Sequence, residues 1–279
     1  MSLGTIAVFF DSSSAGEKRA DYAVELAFRH RAHLIGIFVL PLGWDGNSSE
    51  ALVQGQDALR EVIARHTAAE SNATNAARQM FSTVSTREGI SFEFRCLRYS
   101  DVKSDASLSA LHSDLVIVGS PRSDGLPDEW SAESLLLSTG VPVLVLPEHW
   151  TRSVAKHVVV AWNASREARR AIADARPLLA DAVSVTVLVV DSHRNSRHGE
   201  EPGADVALYL SRHQAKVAVE RVQSNGTPVA DVIRDFARRH SGDLIVLGAY
   251  SHARTTEIVF GGVTRDLLRD VTIPLLIAH

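Results

Sequence analysis

Short apolar runs punctuate the chain, and most close on a polar residue or a glycine. Ile6–Phe10, Leu34–Leu40, Phe92–Leu97, Leu115–Gly119 and Val143–Leu146 make one set; Val158–Ala161, Val183–Val190, Val217–Val222, Leu244–Gly248 and Leu275–Ala278 make a second. They are rich in Val, Ile and Leu without polar alternation, the pattern of strands covered on both faces. Between them, apolar residues recur at helical spacing, as in Glu167–Leu179 behind a Ser165 cap. Repeated strand–helix–strand units of this kind predict an α/β fold: two tandem, doubly wound, Rossmann-like parallel sheets of five strands, each in the order 3-2-1-4-5. That order puts a switch point between the first and fourth strands, where ligands bind at the carboxyl ends. The residues there are Asp11 with Gly119 and Asn163 with Gly248.

The two sets are copies. Thr5-Ile-Ala-Val-Phe-Phe10-Asp11 returns as His157-Val-Val-Val-Ala-Trp162-Asn163, Ser113-Asp114-Leu-Val-Ile-Val-Gly119 as Gly242-Asp243-Leu-Ile-Val-Leu-Gly248, and Pro142-Val143 as Pro274-Leu275. The offsets are 152, 129 and 132 residues in the same chain order, which reads as a tandem duplication with its seam near Pro147–Lys156 and domains at 1–150 and 151–279. The shrinking offset assigns about 23 extra residues to the first copy, most of them within Ser48–Glu88. No Gly or Pro stands between Gly55 and Gly89, and an Ala-rich stripe runs along that stretch, so a helix of ~33 residues and about 50 Å is expected, its stripe packed on its own sheet or left as a groove for a partner.

Composition narrows the function. With 33 acidic residues against 29 Lys and Arg, the net charge of −4 argues against nucleic acid or an anionic membrane surface as partner. A single cysteine, Cys96, excludes an intramolecular disulfide and a Cys-rich zinc site. No apolar run approaches the ~18 residues of a membrane span, and Ile6–Phe10 has no basic flank of a secretory signal, so the cytoplasm is the expected location. The twelve histidines fall in no metal-binding framework and read as solvated. Gly-x-Ser-x-Gly, Gly-x-x-x-x-Gly-Lys-[Ser/Thr] and Gly-x-Gly-x-x-Gly after a first strand are all absent, which disfavours a serine hydrolase, a P-loop ATPase and a dinucleotide dehydrogenase.

One segment carries candidate chemistry. Gly248-Ala-Tyr-Ser251-His252-Ala-Arg254 leads through Gly261 and Gly262 into Val263-Thr264-Arg265. A strand end, a turn, then a glycine pair opening a helix suits a phosphate: the helix N-terminus offers unpaired amides, and glycine lets the backbone approach. Thr264 adds a hydroxyl, Arg254 and Arg265 add charge, and His252 is read as a loop or phosphate contact; the alternative is that the glycines serve a tight turn. The spacing resembles the universal stress protein signature Gly-x-x-Gly-x9-Gly-[Ser/Thr], at Gly248, Ser251, Gly261 and Gly262. The family's Asp-Gly-Ser after strand one is matched by Asp11-Ser12-Ser13 and Asn163-Ala164-Ser165, so the likeness spans both copies as in a two-domain member.

That resemblance implies an adenine nucleotide alpha hydrolase-like fold, a stress-response role, and ATP as ligand, with Mg²⁺ arriving on the phosphates. It places the adenosine at Asn163 and the backbone of Val189, and the phosphates at Gly248, Ser251, Gly261, Gly262, Val263 and Thr264. Three departures stand out: Ser251 replaces a glycine, Gly262 replaces a Ser or Thr, and Asn163 lacks the charge of Asp. In the first copy the glycine pair is missing and Asp124, Asp128, Glu129 and Glu133 bring acid where phosphates need amides, so nucleotide is expected in the second copy alone, with Asp11 a relic or a helix cap. Three classes remain open: an ATP-binding regulatory protein, a slow ATP hydrolase or nucleotidyl transferase without an evident base, and a scaffold that works through domain pairing. The resemblance also implies pairing of the last strands, Val143–Leu146 with Leu275–Ala278, within one chain or in a homodimer.

Overall fold

The computed structural model describes residues 2–40, 55–97, 105–120, 131–150, 154–194, 196–249 and 262–279. These residues divide into two compact units, 2–141 and 142–279. The first contains β1 (Thr5–Phe10), α1 (Ser14–His30), β2 (His33–Val39), α2 (Gly55–Arg87), β3 (Phe92–Leu97), α3 (Asp105–Ala110), β4 (Leu115–Gly119) and α4 (Ala132–Thr139). Its strands run parallel in the order β3-β2-β1-β4, with Val8 opposite Gly36 on one side and Ile117 on the other.

The second unit contains β5 (Val143–Leu146), β6 (His157–Ala161), α5 (Arg166–Ala180), β7 (Ser184–Val190), α6 (Ala204–Arg212), β8 (Val217–Val222), α7 (Val229–Arg239), β9 (Leu244–Gly248), α8 (Gly262–Arg269) and β10 (Leu275–Ala278). Here β8-β7-β6-β9-β10 is the expected parallel 3-2-1-4-5 order, and β5 is added antiparallel to β10, with Leu276 opposite Leu144. The last strands of the two sequence copies therefore pair. Because of that ladder β5 belongs to the second unit, and the seam of the sequence repeat does not coincide with the division at Val141/Pro142.

The duplicated Ser/Gly-Asp-Leu motif has a structural cause. Asp114 Oδ2 accepts hydrogen bonds from the backbone N–H groups of Gly4 (2.7 Å) and Thr5 (3.0 Å). Asp243 Oδ1 likewise takes those of Lys156 (2.9 Å) and His157 (2.8 Å). Each Asp precedes its copy's fourth strand and pairs the two amides that open its first strand, tying the starts of two neighbouring strands.

Helix α2 has the expected bounds, but only part of its stripe packs. Ala77, Phe81 and Ser85, at spacings of four, are buried, whereas the described side chains between Arg60 and Ala76 are exposed or half-buried. The reason is length. A 33-residue helix runs about 50 Å, while a six-residue strand such as β3 runs only ~20 Å, so the sheet cannot cover it. The covered end is aromatic: Phe81 lies so close to Gly36 that a Cβ there would strike the ring, and it stacks on Phe10 at 5.4 Å between centroids.

Candidate functional site

In both units the residues after the first strand build the same turn. Asp11 Oδ1 accepts from the Ser13 amide (2.8 Å), and Ser13 Oγ accepts from the Gly16 amide (3.0 Å), capping α1. Asn163 Oδ1 accepts from the Ser165 amide (3.2 Å), and Ser165 Oγ accepts from the Ala168 amide (3.0 Å), capping α5. The serines are the caps, and Asp11 and Asn163 brace them. This corrects the reading of Asp11 as the cap.

Past the cap the units diverge. In the first, Arg19 is a charged residue on the buried stripe of α1, with its side chain only 5 % exposed. Its Nε donates to the Phe9 carbonyl (2.7 Å) and its Nη2 lies 3.7 Å from Asp11 Oδ2. A Cβ on Gly119 would stand 2.5 Å from Arg19 Nη1, so the guanidinium rests against the end of β4. In the second unit the residue at the offset of 152 is Ala171, and α5 itself closes on Gly248: a Cβ there would collide with the backbone of Glu167 and Ala168. Each glycine is required by a close neighbour, a side chain in one unit and a helix backbone in the other.

The helices that follow the fourth strands differ as well. Helix α4 is capped by Ser131, whose Oγ accepts from the Ser134 amide (3.2 Å), and Glu133 sits in its first turn. Its amides and dipole are answered internally. Helix α8 has no acidic residue in its first turn, and Gly262 is exposed, with no atom of the described residues within 4 Å of where a Cβ would stand. Since β9 and β10 are parallel, α8 runs back between them and its first residue stands at the carboxyl edge.

Of the ten residues assigned to nucleotide, the structure describes six. Asn163 and Gly248 lie just past paired residues of neighbouring strands, Ala161 opposite Leu247. Gly262 is exposed, Val263 half-buried, and Thr264 buried on the core stripe with Leu267 and Leu268. Ser251, His252, Arg254 and Gly261 lie outside the described residues, as do Asp124, Asp128 and Glu129 of the first copy. Val189 is buried and opposite Arg221 of β8. Leu188 O accepts from Trp162 N (2.9 Å) and Asp191 N donates to Val222 O (3.0 Å), so even-numbered residues of β7 turn their backbone to β6 and odd-numbered ones to β8. Val190, not Val189, is thus the residue whose backbone turns toward β6 beyond the end of its ladder. Sequence reasoning missed Val190 because alternation starts from an unknown register, and missed Arg19 although a charge on a core stripe was there to be noticed.

Beyond β7 the chain is held by a buried carboxylate. Asp191 accepts from Ser224 N (2.8 Å) and Ser224 Oγ (2.6 Å), tying the ends of β7 and β8. In the 3₁₀ turn Ser196–His198, burial holds the His198 imidazole below its ordinary value. Among the described residues no cluster of His, Cys, Asp and Glu is placed to hold a metal ion, and no helix is long and apolar enough to cross a membrane.

Comparison with known proteins finds one family model that matches most of the second unit. Residues 155–279 match the model of the universal stress protein family. Among solved structures, a universal stress protein from Archaeoglobus fulgidus is similar over 98 % of this chain and 97 % of its own, at 15 % identity and a TM-score of 0.67. A protein of unknown function from Pseudomonas aeruginosa PAO1 is similar over 99 % and 92 %, at 14 % identity and a TM-score of 0.58. At these identities the likeness shows the fold, and it spans both copies. A universal stress protein solved in complex with cAMP matches 53 % of this chain at 13 % identity and a TM-score of 0.30. No curated protein matches the sequence.

Proposed function

With residues 155–279 a universal stress protein domain, we propose that the unit 142–279 is a cytoplasmic, stress-responsive regulatory module that binds an adenine nucleotide, ATP with its Mg²⁺, at its carboxyl edge. The observation that carries this is the start of α8: an exposed glycine with no atom of the described residues near its Cβ position, no acidic residue in the first turn, and a place at the same edge as Asn163 and Gly248. The phosphates take the α8 amides at Gly262 and Val263 together with the segment from Ser251 through Gly261, and Arg254 and Arg265 supply charge. The adenosine lies toward Asn163 and the end of β7, where Val190 serves the role assigned to Val189. Mg²⁺ is brought by the phosphates, since no carboxylate cluster stands at the described part of this edge.

Calorimetric titration of the full chain with MgATP tests this reading: it expects one site per chain, and loss of binding in Gly262→Asp with the melting curve unchanged. A scaffold reading has its own support, because Gly248 is explained by the packing of α5 and Thr264 by the core. It expects no heat with ATP in the parent chain and no nucleotide released on denaturation.

A further inference from the structure

We infer that Arg19 closes the switch-point crevice of the unit 2–141 from within, so that this unit refuses a nucleotide because its own guanidinium fills the place where one would enter. The inference concerns this unit alone and holds whether or not the unit 142–279 takes ATP.

Three contacts define the plug. The Nε donates to Phe9 O at 2.7 Å, on the last turnings of β1; Nη2 lies 3.7 Å from the Asp11 carboxylate just beyond that strand. Across the crevice, the guanidinium lies against Gly119, the last residue of β4, at a distance no Cβ would tolerate. One side chain thus joins the ends of the two strands that flank the switch point, the position at which open α/β sheets take ligands. Arg19 is buried, its side chain 5 % exposed, and Asp11 is half-buried at 24 %. A charge held this deeply is kept by its partners, and a ligand entering at this edge would have to part the guanidinium from Asp11 and from the Phe9 carbonyl. The neighbouring helix adds to the refusal: the first turn of α4 is capped by Ser131 and carries Glu133. The second unit has no counterpart of the plug: neutral Asn163 stands for Asp11 and Ala171 for Arg19, and there the backbone of α5 at Glu167 and Ala168 closes on Gly248.

The test uses the full chain and 8-azido-ATP, with labelled peptides assigned to 2–141 or 142–279. In the parent chain no label is expected on 2–141. Arg19→Ala, or the double variant Asp11→Asn with Arg19→Ala that copies the second unit and leaves no unpaired carboxylate, is expected to raise labelling of 2–141 at least fivefold. A purely structural arginine would not produce that gain. Label on 2–141 in the parent chain, or no gain in a variant that still melts cooperatively, overturns the inference. A measurement on the parent chain decides the matter even if both variants fail to fold. The Arg19 Nε–H resonance is expected to exchange slowly with solvent and to stay in place as ATP is added, and a shift or faster exchange on addition overturns it. Label on 142–279 reports separately on the nucleotide reading of that unit, so failure of one claim is not failure of the other.

Discussion

The two switch points of this chain share a sequence pattern and solve the same problem with different atoms. Both brace a serine N-cap with an Asp or Asn two residues earlier, and both end the fourth strand in glycine. In the first unit the glycine makes room for a guanidinium; in the second it makes room for the backbone of a helix. A shared motif therefore does not prove a shared use. The glycine and the Asx-type turn are present in both because packing requires them, and what distinguishes the units lies in residues outside the motif: Arg19 against Ala171, and the acidic first turn of α4 against a first turn of α8 with no acidic residue.

The sharpest way to break this comparison is to give each glycine a methyl group. In Gly248→Ala the new Cβ meets the backbone of Glu167 and Ala168, so α5 must move as a whole, and a loss of about 3 kcal/mol is expected. In Gly119→Ala it meets the Arg19 guanidinium 2.5 Å away, a single side chain that must shift against its contacts to Phe9 and Asp11, and a loss of about 2 kcal/mol is expected. Urea denaturation of the two variants decides it. Equal losses would mean that the glycines play one role after all.

Next in size is the charge itself. Asp11→Ala leaves a buried Arg19 with one fewer acceptor, and about 2 kcal/mol is expected to go, discounted from a fully buried pair because Asp11 is partly exposed. Asn163→Ala removes one turn hydrogen bond from an exposed neutral side chain and is expected to cost under about 1 kcal/mol. Thermal melts followed by circular dichroism measure both. The serine caps come next: Ser13→Ala and Ser165→Ala each remove one bond of 3.0 Å to an amide in a helix first turn, for about 1 kcal/mol, and Ser13→Ala also removes the bond that its hydroxyl donates to Asp11 Oδ1. A large inequality between them would show that the shared turn has diverged too.

How much of this was legible in the sequence follows from the range of the forces involved. The strands, the 33-residue helix and the Ser165 cap were legible because each is written in a few neighbouring residues. The edge where Asn163 and Gly248 meet was legible because strand order follows from strand–helix repetition. The plug was not, because Arg19 is defined by what lies beneath it, Phe9, Asp11 and Gly119, the last of these a hundred residues away in the chain. The packing of α2 failed for a plainer reason: periodicity reports which face is apolar but not whether the sheet is long enough to cover it.

The smallest expected effect bears on Gly262, where the likeness to the family pattern departs from Ser or Thr. Glycine at this position is exposed, and a Cβ would have no atom of the described residues within 4 Å, so Gly262→Ser brings no clash with them. Its effect on unfolding should stay within about 0.5 kcal/mol, serine being somewhat better than glycine in a helix. If phosphates rest on the α8 amides, the added hydroxyl offers one more donor, which Thr264 does not replace because it lies on the buried stripe. One further hydrogen bond of ~1 kcal/mol corresponds to roughly fivefold tighter ATP binding. Calorimetry on Gly262→Ser and the parent chain at equal salt reads that ratio. An unchanged or weaker affinity, with the melting curve unchanged, would mean that the phosphates do not sit on this helix, and the start of α8 would then no longer distinguish the two units by function.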